Sequence, residues 1–348
     1  MKQFNIDKLV RSNIAGLKAY SSARDEYQSN GSKMVFLDAN ENPFQTDVNR
    51  YPDPQQRSLK SELAKLKGVS AEKILLGNGS DEVLDLLFRA FCEPKQDNVI
   101  TLPPTYGMYK VLANINDVEN REVLLTSNFE PDVEEILRKV DENTKMIFLC
   151  SPNNPTGNSF SEEKITAILE NFNGLTIIDE AYIDFSERQS WIKQLEKFDN
   201  LVVTQTLSKA YGMAGIRLGI CYASKEIIRI LNRIKPPYNV NELTQLRAFN
   251  RVLDPEKVKE EVADILKERE VLHKQLLQVN FVKEVYPSDA NFILAKVDDA
   301  TRRYNELLGQ GVVIRNRTTQ PLCENTLRFT VGTSEENKKL IGALKSIE

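Results

Sequence analysis

The chain has 348 residues, 41% hydrophobic and 28% charged, a composition typical of a globular protein with about two domains. A net charge of −4 argues against a large nucleic-acid surface, and a single histidine argues against a hydrolase triad or a multi-histidine metal site. Four widely spaced cysteines without a C-x-x-C pair are typical of a reducing compartment, so we expect a cytoplasmic protein without a metal.

Residues 1–45 are polar with isolated apolar anchors, and we expect an N-terminal arm that also contributes to a small domain. The N-terminus lacks the apolar segment and cleavage pattern of a signal peptide. Nowhere do 18 apolar residues follow one another, so no membrane span is expected.

Residues 46–240 alternate between short apolar runs and longer amphipathic stretches. This alternation predicts a large α/β domain with a mostly parallel seven-stranded sheet covered by helices. The loop between the last two strands is too short for a crossover helix, so one of them is expected to run antiparallel. The predicted strands are 73–77, 98–102, 121–125, 145–150, 175–179, 201–205 and 218–222, and the helices are 81–91, 104–115, 131–140 and 161–172.

Residues 241–348 differ in character and predict a smaller α+β domain. They begin with a long amphipathic pattern at 256–279, which indicates one helix. The β-rich runs that follow are 281–288, 291–297, 311–317 and 326–333, with helices at 301–310 and from residue 335.

Chemistry is expected where strands end, because ligands of open α/β sheets bind beyond the carboxyl ends of the strands. Gly79, Ser80 and Asp81 open a helix there, and such a helix start can hold an anion, although a plain N-cap would look the same. The run 151–157 contains two prolines and a glycine, which form a rigid turn that would fix the amide of Asn154.

Asp179 ends an apolar strand, where an unpaired carboxylate is costly to bury, and an N-cap or a structural ion pair would explain it equally well. Thr206, Ser208 and Lys209 follow the next strand, with Arg217 eight residues beyond Lys209. Schiff-base chemistry requires a lysine nucleophile. An anion cradle, an amide, a carboxylate and a lysine at four strand ends together match a phosphorylated pyridine aldehyde, pyridoxal 5′-phosphate.

The same motifs, in the same order, occur in the fold-type I pyridoxal-phosphate aminotransferases, which the chain resembles. They are Asn-Pro-Thr-Gly at 154–157, Asp-Glu-Ala-Tyr at 179–182 and Ser-Lys-Ala-Tyr-Gly at 208–212. Within that group the chain resembles the histidinol-phosphate aminotransferases over nearly its whole length, through 19–27, 38–43, 50–54, 312–317 and 327–333. One departure is Lys18-Ala19 before Tyr20, where the family often has proline.

The resemblance implies a role for each cofactor residue. Lys209 would form the Schiff base and move the proton at the reacting carbon, and Asp179 would keep the pyridine nitrogen protonated. Tyr182 and Asn154 would bind the phenolic oxygen, and Tyr106 would stack on the ring. The residues implied to hold the cofactor phosphate are Gly79, Ser80, Asp81, Thr206, Ser208 and Arg217.

The resemblance also implies a homodimer with shared active sites, since Tyr51 would reach the phosphate from the neighbouring subunit. Substrate would be bound by Tyr20, Asn154, Arg315 and Arg328. The runs that contain the two arginines are separated by a turn-like segment, so we expect them to pair. The expected ping-pong reaction exchanges the amino group of L-histidinol phosphate with 2-oxoglutarate, giving imidazole acetol phosphate and L-glutamate.

Two alternatives stay open at the level of sequence. A threonine-phosphate decarboxylase, or an aminotransferase for another amino acid, would keep every cofactor residue and differ at the substrate end. A regulator that binds pyridoxal phosphate without turnover would normally carry a DNA-binding module, and no helix-turn-helix pattern precedes the arm.

Overall fold

A seven-stranded sheet forms the centre of the computed structural model, which describes residues 4–18 and 35–348. The strand order is β1-β7-β6-β5-β4-β2-β3. β6, β5, β4, β2 and β3 pair in parallel, and β7 runs antiparallel to both of its neighbours, so the expectation from the short loop is confirmed. The strands are β1 Ile74–Asn78, β2 Asn98–Thr101, β3 Glu119–Glu122, β4 Thr144–Cys150, β5 Leu175–Asp179, β6 Leu201–Thr206 and β7 Leu218–Ala223.

Both faces of this sheet are buried, because alternate apolar side chains of each strand point to opposite sides. Ile74 and Leu76 belong to one hydrophobic cluster, while Leu75 between them belongs to the other. The covering helices are Arg57–Lys67, Ser80–Phe91, Met108–Ile115, Val133–Arg138, Glu162–Asn171, Lys225–Ile234 and Glu242–Val252. The predicted α/β class with a mostly parallel, covered sheet is confirmed.

One strand lies earlier than predicted. The apolar run at 121–125 indicated a strand there, but β3 is Glu119–Glu122, an edge strand of partly exposed polar residues. Val123 and Leu125 are buried, and their backbone N–H groups still donate to the carbonyls of Thr101 and Pro103. The apolar residues therefore show where the chain enters the hydrophobic core, which is after the strand and not at its start.

A second, antiparallel sheet of order β10-β11-β9-β8 forms the smaller α+β unit. Its strands are β8 Val282–Val285, β9 Phe292–Val297, β10 Arg315–Asn316 and β11 Thr326–Thr330. The helices around it are Pro255–Leu276, Ala300–Gly309 and Ser334–Ser346. It has its own hydrophobic cluster, which includes the buried Leu327 and Phe329.

The described N-terminal residues lie on the large unit. A short helix, Ser12–Ala15, buries Ile14, and Arg11 forms an ion pair with Glu93. The boundaries at residues 45 and 240 stay a prediction.

The described ranges, 4–18 and 35–348, lack two features. They contain no helix long and apolar enough to cross a lipid bilayer. They also contain no cluster of three His, Cys, Asp or Glu side chains able to hold a metal ion.

Candidate active site

The strands β4, β5 and β6 are adjacent and parallel, so the residues that follow them lie at one edge of the sheet. Cys150 at the end of β4 is in register with Asp179, and Asp179 is in register with Thr204. This register brings the segments that carry Asn154, Tyr182 and Lys209 together, as the sequence predicts.

Asp179 is a buried carboxylate, 3% exposed, at the carboxyl end of β5. Burial raises its pKa, and hydrogen bonds to the charged form oppose that effect. The hydroxyl of Tyr109 donates to Oδ2 at 2.8 Å, and the backbone N–H of Ala181 donates to Oδ1 at 3.3 Å. No Lys or Arg of the described chain forms an ion pair with Asp179, so its charge is available for a cationic ligand.

Lys209 lies in the turn after β6 with its ammonium group 5.7 Å from the centre of the Tyr182 ring. Partial burial lowers the pKa of Lys209, and the positive charges of Arg328 and Arg217 lower it further. The neutral amine is the nucleophilic form of lysine, so these neighbours favour reactivity.

The helix Ser80–Phe91 begins beside β7 in an unusually close approach. Gly79 has φ of +80°, and its N–H donates to the carbonyl of Arg217 at 2.8 Å. A Cβ on Gly219 would lie 2.3 Å from the backbone nitrogen of Ser80, so only glycine fits at that position. The contact aims the free N–H groups of the helix start into the site, and such groups bind anions.

Hydroxyl and guanidinium groups surround this helix start. The Thr206 hydroxyl donates to Ser208 Oγ at 2.9 Å, and Arg217 donates to the same oxygen at 3.4 Å. Arg217 also lies 4.0 Å from Asp81, whose carboxylate accepts from the Tyr106 hydroxyl at 3.0 Å. The residues predicted to hold a phosphate are therefore contiguous. Stacking of Tyr106 on a cofactor ring stays a prediction.

The small unit contributes Arg328, which reaches the large unit. Its guanidinium donates to Asn154 Oδ1 and lies 5.0 Å from the centre of the Phe292 ring, which itself packs edge-on against Tyr182. Burial, and then the charge of Arg317, lowers the pKa of Arg328 to about 10. Arg315 is exposed and directly opposite Arg328, so the expected pairing of the two runs is confirmed.

The two remaining predicted residues are Tyr51 and Tyr20. Tyr51 is 49% exposed and stacks on Tyr238, with ring centres 4.4 Å apart. Tyr20 falls outside the described residues.

Sequence reasoning missed three side chains of the site: Tyr109, Phe292 and Arg317. Tyr109 is a fully buried tyrosine in the first turn of the helix Met108–Ile115, and its position on an otherwise apolar helix face was an available signal. Phe292 and Arg317 gave no such signal, because their roles depend on how the two units meet.

Comparison with known proteins identifies the family. The pattern of the family described as aminotransferase class I and II matches residues 26–344. The histidinol-phosphate aminotransferase of Flavobacterium johnsoniae is 67% identical over 346 residues, which is 99% of this chain and 99% of that protein.

Solved structures agree in fold. The histidinol-phosphate aminotransferase of Clostridium acetobutylicum superposes with a TM-score of 0.80 at 27% identity, over 86% of this chain and 91% of that one. The enzyme of that name from Sinorhizobium meliloti, solved with pyridoxal-5′-phosphate, has a TM-score of 0.79 at 23% identity, over 86% and 83%. The chain belongs to the class I and II aminotransferases, which are pyridoxal-phosphate-dependent enzymes.

Proposed function

We propose that this enzyme holds pyridoxal 5′-phosphate and transfers the amino group between L-histidinol phosphate and 2-oxoglutarate. The observation that carries the proposal is Arg328, held by Asn154 at the mouth of the site where its charge acts on Lys209. A partly buried arginine beside the lysine suits an amine that carries an anionic group. The name of the Flavobacterium relative supplies the identity of that amine.

The residues present fit the cofactor. Asp179 is a buried carboxylate without a cationic partner among the described residues, which suits a protonated pyridine nitrogen. The glycine-built cradle at Gly79 and Gly219, with Arg217 beside it, suits a phosphate. When bound, the cofactor supplies an aldehyde that carries the amino group and a ring that stabilises negative charge at the reacting carbon.

Each side chain has one task in this proposal. Lys209 Nζ would take the proton from the reacting carbon of the substrate and deliver it to the aldehyde carbon of the cofactor, for which its lowered pKa is suited. Asp179 Oδ2, positioned by the Tyr109 hydroxyl, holds the ring nitrogen in its protonated state. Tyr182 and Asn154 orient the phenolic oxygen, and Tyr106 covers the ring.

The anionic groups of both substrates bind to the same arginines. The phosphate of histidinol phosphate and a carboxylate of glutamate reach Arg328 in alternate half-reactions, and Arg315 lies opposite it in the β10–β11 pair. The cofactor would keep the amino group on the enzyme between the two half-reactions, so the kinetics should be ping-pong.

We further propose a cytoplasmic homodimer. Four free, buried cysteines are compatible with a reducing compartment. The exposed Tyr51 lies in a segment rich in exposed apolar side chains, which favours burial against a second copy. Tyr51 of each subunit would then complete the phosphate cradle of the other.

The alternative is threonine-phosphate decarboxylation, which needs the same cofactor residues. A side-by-side assay distinguishes them: histidinol phosphate, threonine phosphate and phenylalanine are offered separately, and keto product and carbon dioxide are both measured. We expect histidinol phosphate to give keto product with the highest kcat/KM. Release of carbon dioxide from threonine phosphate, with no keto product from histidinol phosphate, would overturn the proposal.

A further inference from the structure

Arg317 is a half-buried arginine whose side chain has no hydrogen-bond acceptor or carboxylate partner within residues 4–18 and 35–348. Its Nε is fully buried and unpartnered. A buried guanidinium nitrogen without an acceptor is costly, so such a group in a site indicates a ligand that accepts from it.

Strand pairing places Arg317 beside the two arginines already described. Arg315 is opposite Arg328, and the N–H of Arg317 donates to the carbonyl of Thr326 at 2.9 Å, which continues the pairing by two residues. Alternate residues of a strand share a face, so all three arginine side chains leave the same side. The other side carries Leu327 and Phe329, which are buried in the small unit.

The three charges act on one another and on the site. The charges of Arg317 and Arg315 both lower the pKa of Arg328, and Arg317 also acts on Tyr182. Within the described residues none of these arginines forms an ion pair with a carboxylate, and Arg328 Nε is also unpartnered. Three uncompensated cations at one mouth favour a ligand with more than one negative charge.

We propose that Arg317 is a specificity-determining residue that selects a phosphate monoester over a carboxylate at this position. A phosphate monoester carries a charge of about −1.5 to −2 and three terminal acceptor oxygens, whereas a carboxylate carries one charge and two oxygens. A third guanidinium therefore gains more from the phosphate, which offers one more acceptor oxygen and a larger negative charge than the carboxylate. The inference rests on the proposed function for its natural ligand, but it can be tested without that ligand.

The test is calorimetric binding to enzyme saturated with pyridoxal phosphate, with glycerol phosphate and 2-oxoglutarate as probes that are not turned over. For Arg317→Gln we expect affinity for glycerol phosphate to fall at least about tenfold more than affinity for 2-oxoglutarate, a difference of about 1.4 kcal/mol. Arg317→Lys, which keeps the charge but not the planar fork, should fall in between.

Arg269→Gln is the matched control. Arg269 likewise has a buried Nε without a hydrogen-bond partner, although this atom lies 4.0 Å from a carboxylate oxygen of Glu270. Its guanidinium donates to the carbonyls of Phe185 and Ala290, and no contact among the described residues joins it to the three arginines. Its substitution should leave the ratio of the two affinities unchanged. Equal weakening of both probes in Arg317→Gln, or no binding of glycerol phosphate by the parent, would overturn the inference.

The same proteins separate this inference from the proposed function. If Arg317→Gln loses glycerol phosphate selectively but the parent does not transaminate histidinol phosphate, the inference holds and the proposed function fails. If the parent transaminates histidinol phosphate and kcat/KM is equal in Arg317→Gln, the function holds and the inference fails.

Discussion

Asp179 and Tyr109 form a buried pair at the floor of the site, with the tyrosine hydroxyl 2.8 Å from Oδ2. Tyr109 also packs edge-on against Tyr106 and stacks on Phe148, which fixes its ring from two sides. Because a hydrogen bond to the ionised carboxylate opposes the effect of burial, the tyrosine keeps Asp179 charged at lower pH than burial alone would allow.

Tyr109→Phe should therefore raise the pKa of Asp179 and weaken its hold on the protonated ring nitrogen. A hydrogen bond to a charged group contributes about 1.5–3 kcal/mol, so we expect kcat to fall by at least about tenfold. The sign of the pH effect follows from the acid: a higher pKa moves the acid-side loss of activity to higher pH. Steady-state kcat measured from pH 5 to pH 9 checks both the fall in kcat and the shift of the acid-side loss of activity.

Tyr222→Phe is the control for this prediction. Tyr222 is also fully buried, but its hydroxyl has no hydrogen-bond partner in the described structure. Its removal should leave kcat and the pH profile unchanged. A Tyr109→Phe enzyme that behaves like the Tyr222→Phe enzyme would show that the Tyr109 hydroxyl does not support Asp179.

Arg328→Ala should remove the main anion contact of both substrates. Truncating one partner of a desolvated charge pair costs about 2–5 kcal/mol, so kcat/KM for histidinol phosphate should fall at least roughly thirtyfold. The glutamate half-reaction should weaken too, because its carboxylate uses the same arginine. Cofactor affinity should stay unchanged, since Gly79 and Arg217 lie at the position proposed for the cofactor phosphate. Single-turnover absorbance with each substrate measures these effects.

Arg302→Ala provides the comparison, since Arg302 is an exposed arginine of the small unit, ion-paired with Asp298 and Glu306. Such surface pairs contribute about 0–1 kcal/mol, so kcat/KM should stay within about threefold of the parent. An Arg328→Ala effect of that size would remove Arg328 from the substrate site.

At the residue scale, the sequence predicts which reactive side chains follow the strands, but not which other side chains contact and position them. Lys209 and Asp179 could be named because each follows an apolar run at a defined edge of the sheet. Tyr109 could not be assigned, because its contact with Asp179 joins residues 70 positions apart. From the sequence alone, Arg317 resembles an ordinary surface arginine, and only the pairing of its segment with β11 places it beside Arg328.

At the scale of elements, the proposed phosphate cradle depends on how closely the start of the helix Ser80–Phe91 approaches β7. A Cβ on Gly219 would lie 2.3 Å from the carbonyl carbon of Gly79 and 2.3 Å from the nitrogen of Ser80. These are backbone atoms, so no side-chain rotation relieves the contact. The helix start itself would have to move.

Gly219→Ala should therefore weaken cofactor binding and destabilise the fold together. Overpacking of this kind costs about 1–3 kcal/mol in unfolding free energy, and we expect cofactor affinity to fall at least about tenfold. Titration of the apoenzyme with pyridoxal phosphate and urea unfolding measure the two effects.

Gly215→Ala is the matched variant in the same loop region. A Cβ there has nothing within 4 Å, and its φ is not in the left-handed region, so both quantities should stay near the parent values. If Gly219→Ala also binds the cofactor within about threefold of the parent, the close approach does not shape the phosphate site.

The elements themselves were predictable where burial shapes the sequence. β4, β5 and β6 are mostly apolar and, apart from Lys145, buried throughout, and each lies within a residue or two of its expected place. The edge strand β3 was misplaced because its side chains are partly exposed and polar. The helix Lys225–Ile234 was not assigned, although Ser224 caps it and its isoleucines repeat at helical spacing.

At the scale of the whole molecule, the site lies where the two units meet. Arg328 of β11 bonds to Asn154, and Asp289 before β9 bonds to the backbone of Gly157 and Ser159. The motifs of the large unit predict the cofactor end from local sequence. The proposed substrate end depends on a contact between Arg328 and Asn154, which are 174 positions apart in the sequence. Only resemblance to a family could therefore suggest it.

Exposed apolar side chains near the start of the chain support the proposed second subunit. Those of the 35–51 segment are Val35, Phe36, Leu37, Phe44, Val48 and Tyr51, with Leu243 and Leu246 also exposed. A concentration of exposed apolar side chains in a short segment is typical of an interaction surface, which supports the proposed interface between copies. Tyr51 is held on this surface by stacking on Tyr238, and its backbone N–H donates to Glu41.

Mixing two inactive variants tests the shared site. A Tyr51→Ala subunit lacks the residue it lends, and a Lys209→Ala subunit lacks the nucleophile of its own site. In a two-fold symmetric dimer, half of the randomly mixed dimers are hybrids with one intact site, so about a quarter of the parent activity should return. After subunit exchange, the activity of the mixture is compared with that of each variant alone. Differently tagged parent subunits, run on native gels, show whether exchange has occurred. The double variant Tyr51→Ala/Lys209→Ala mixed with Tyr51→Ala is the control and should recover nothing, because no site in that mixture receives Tyr51. Full exchange without recovery in the first mixture would mean that each site is built within one chain.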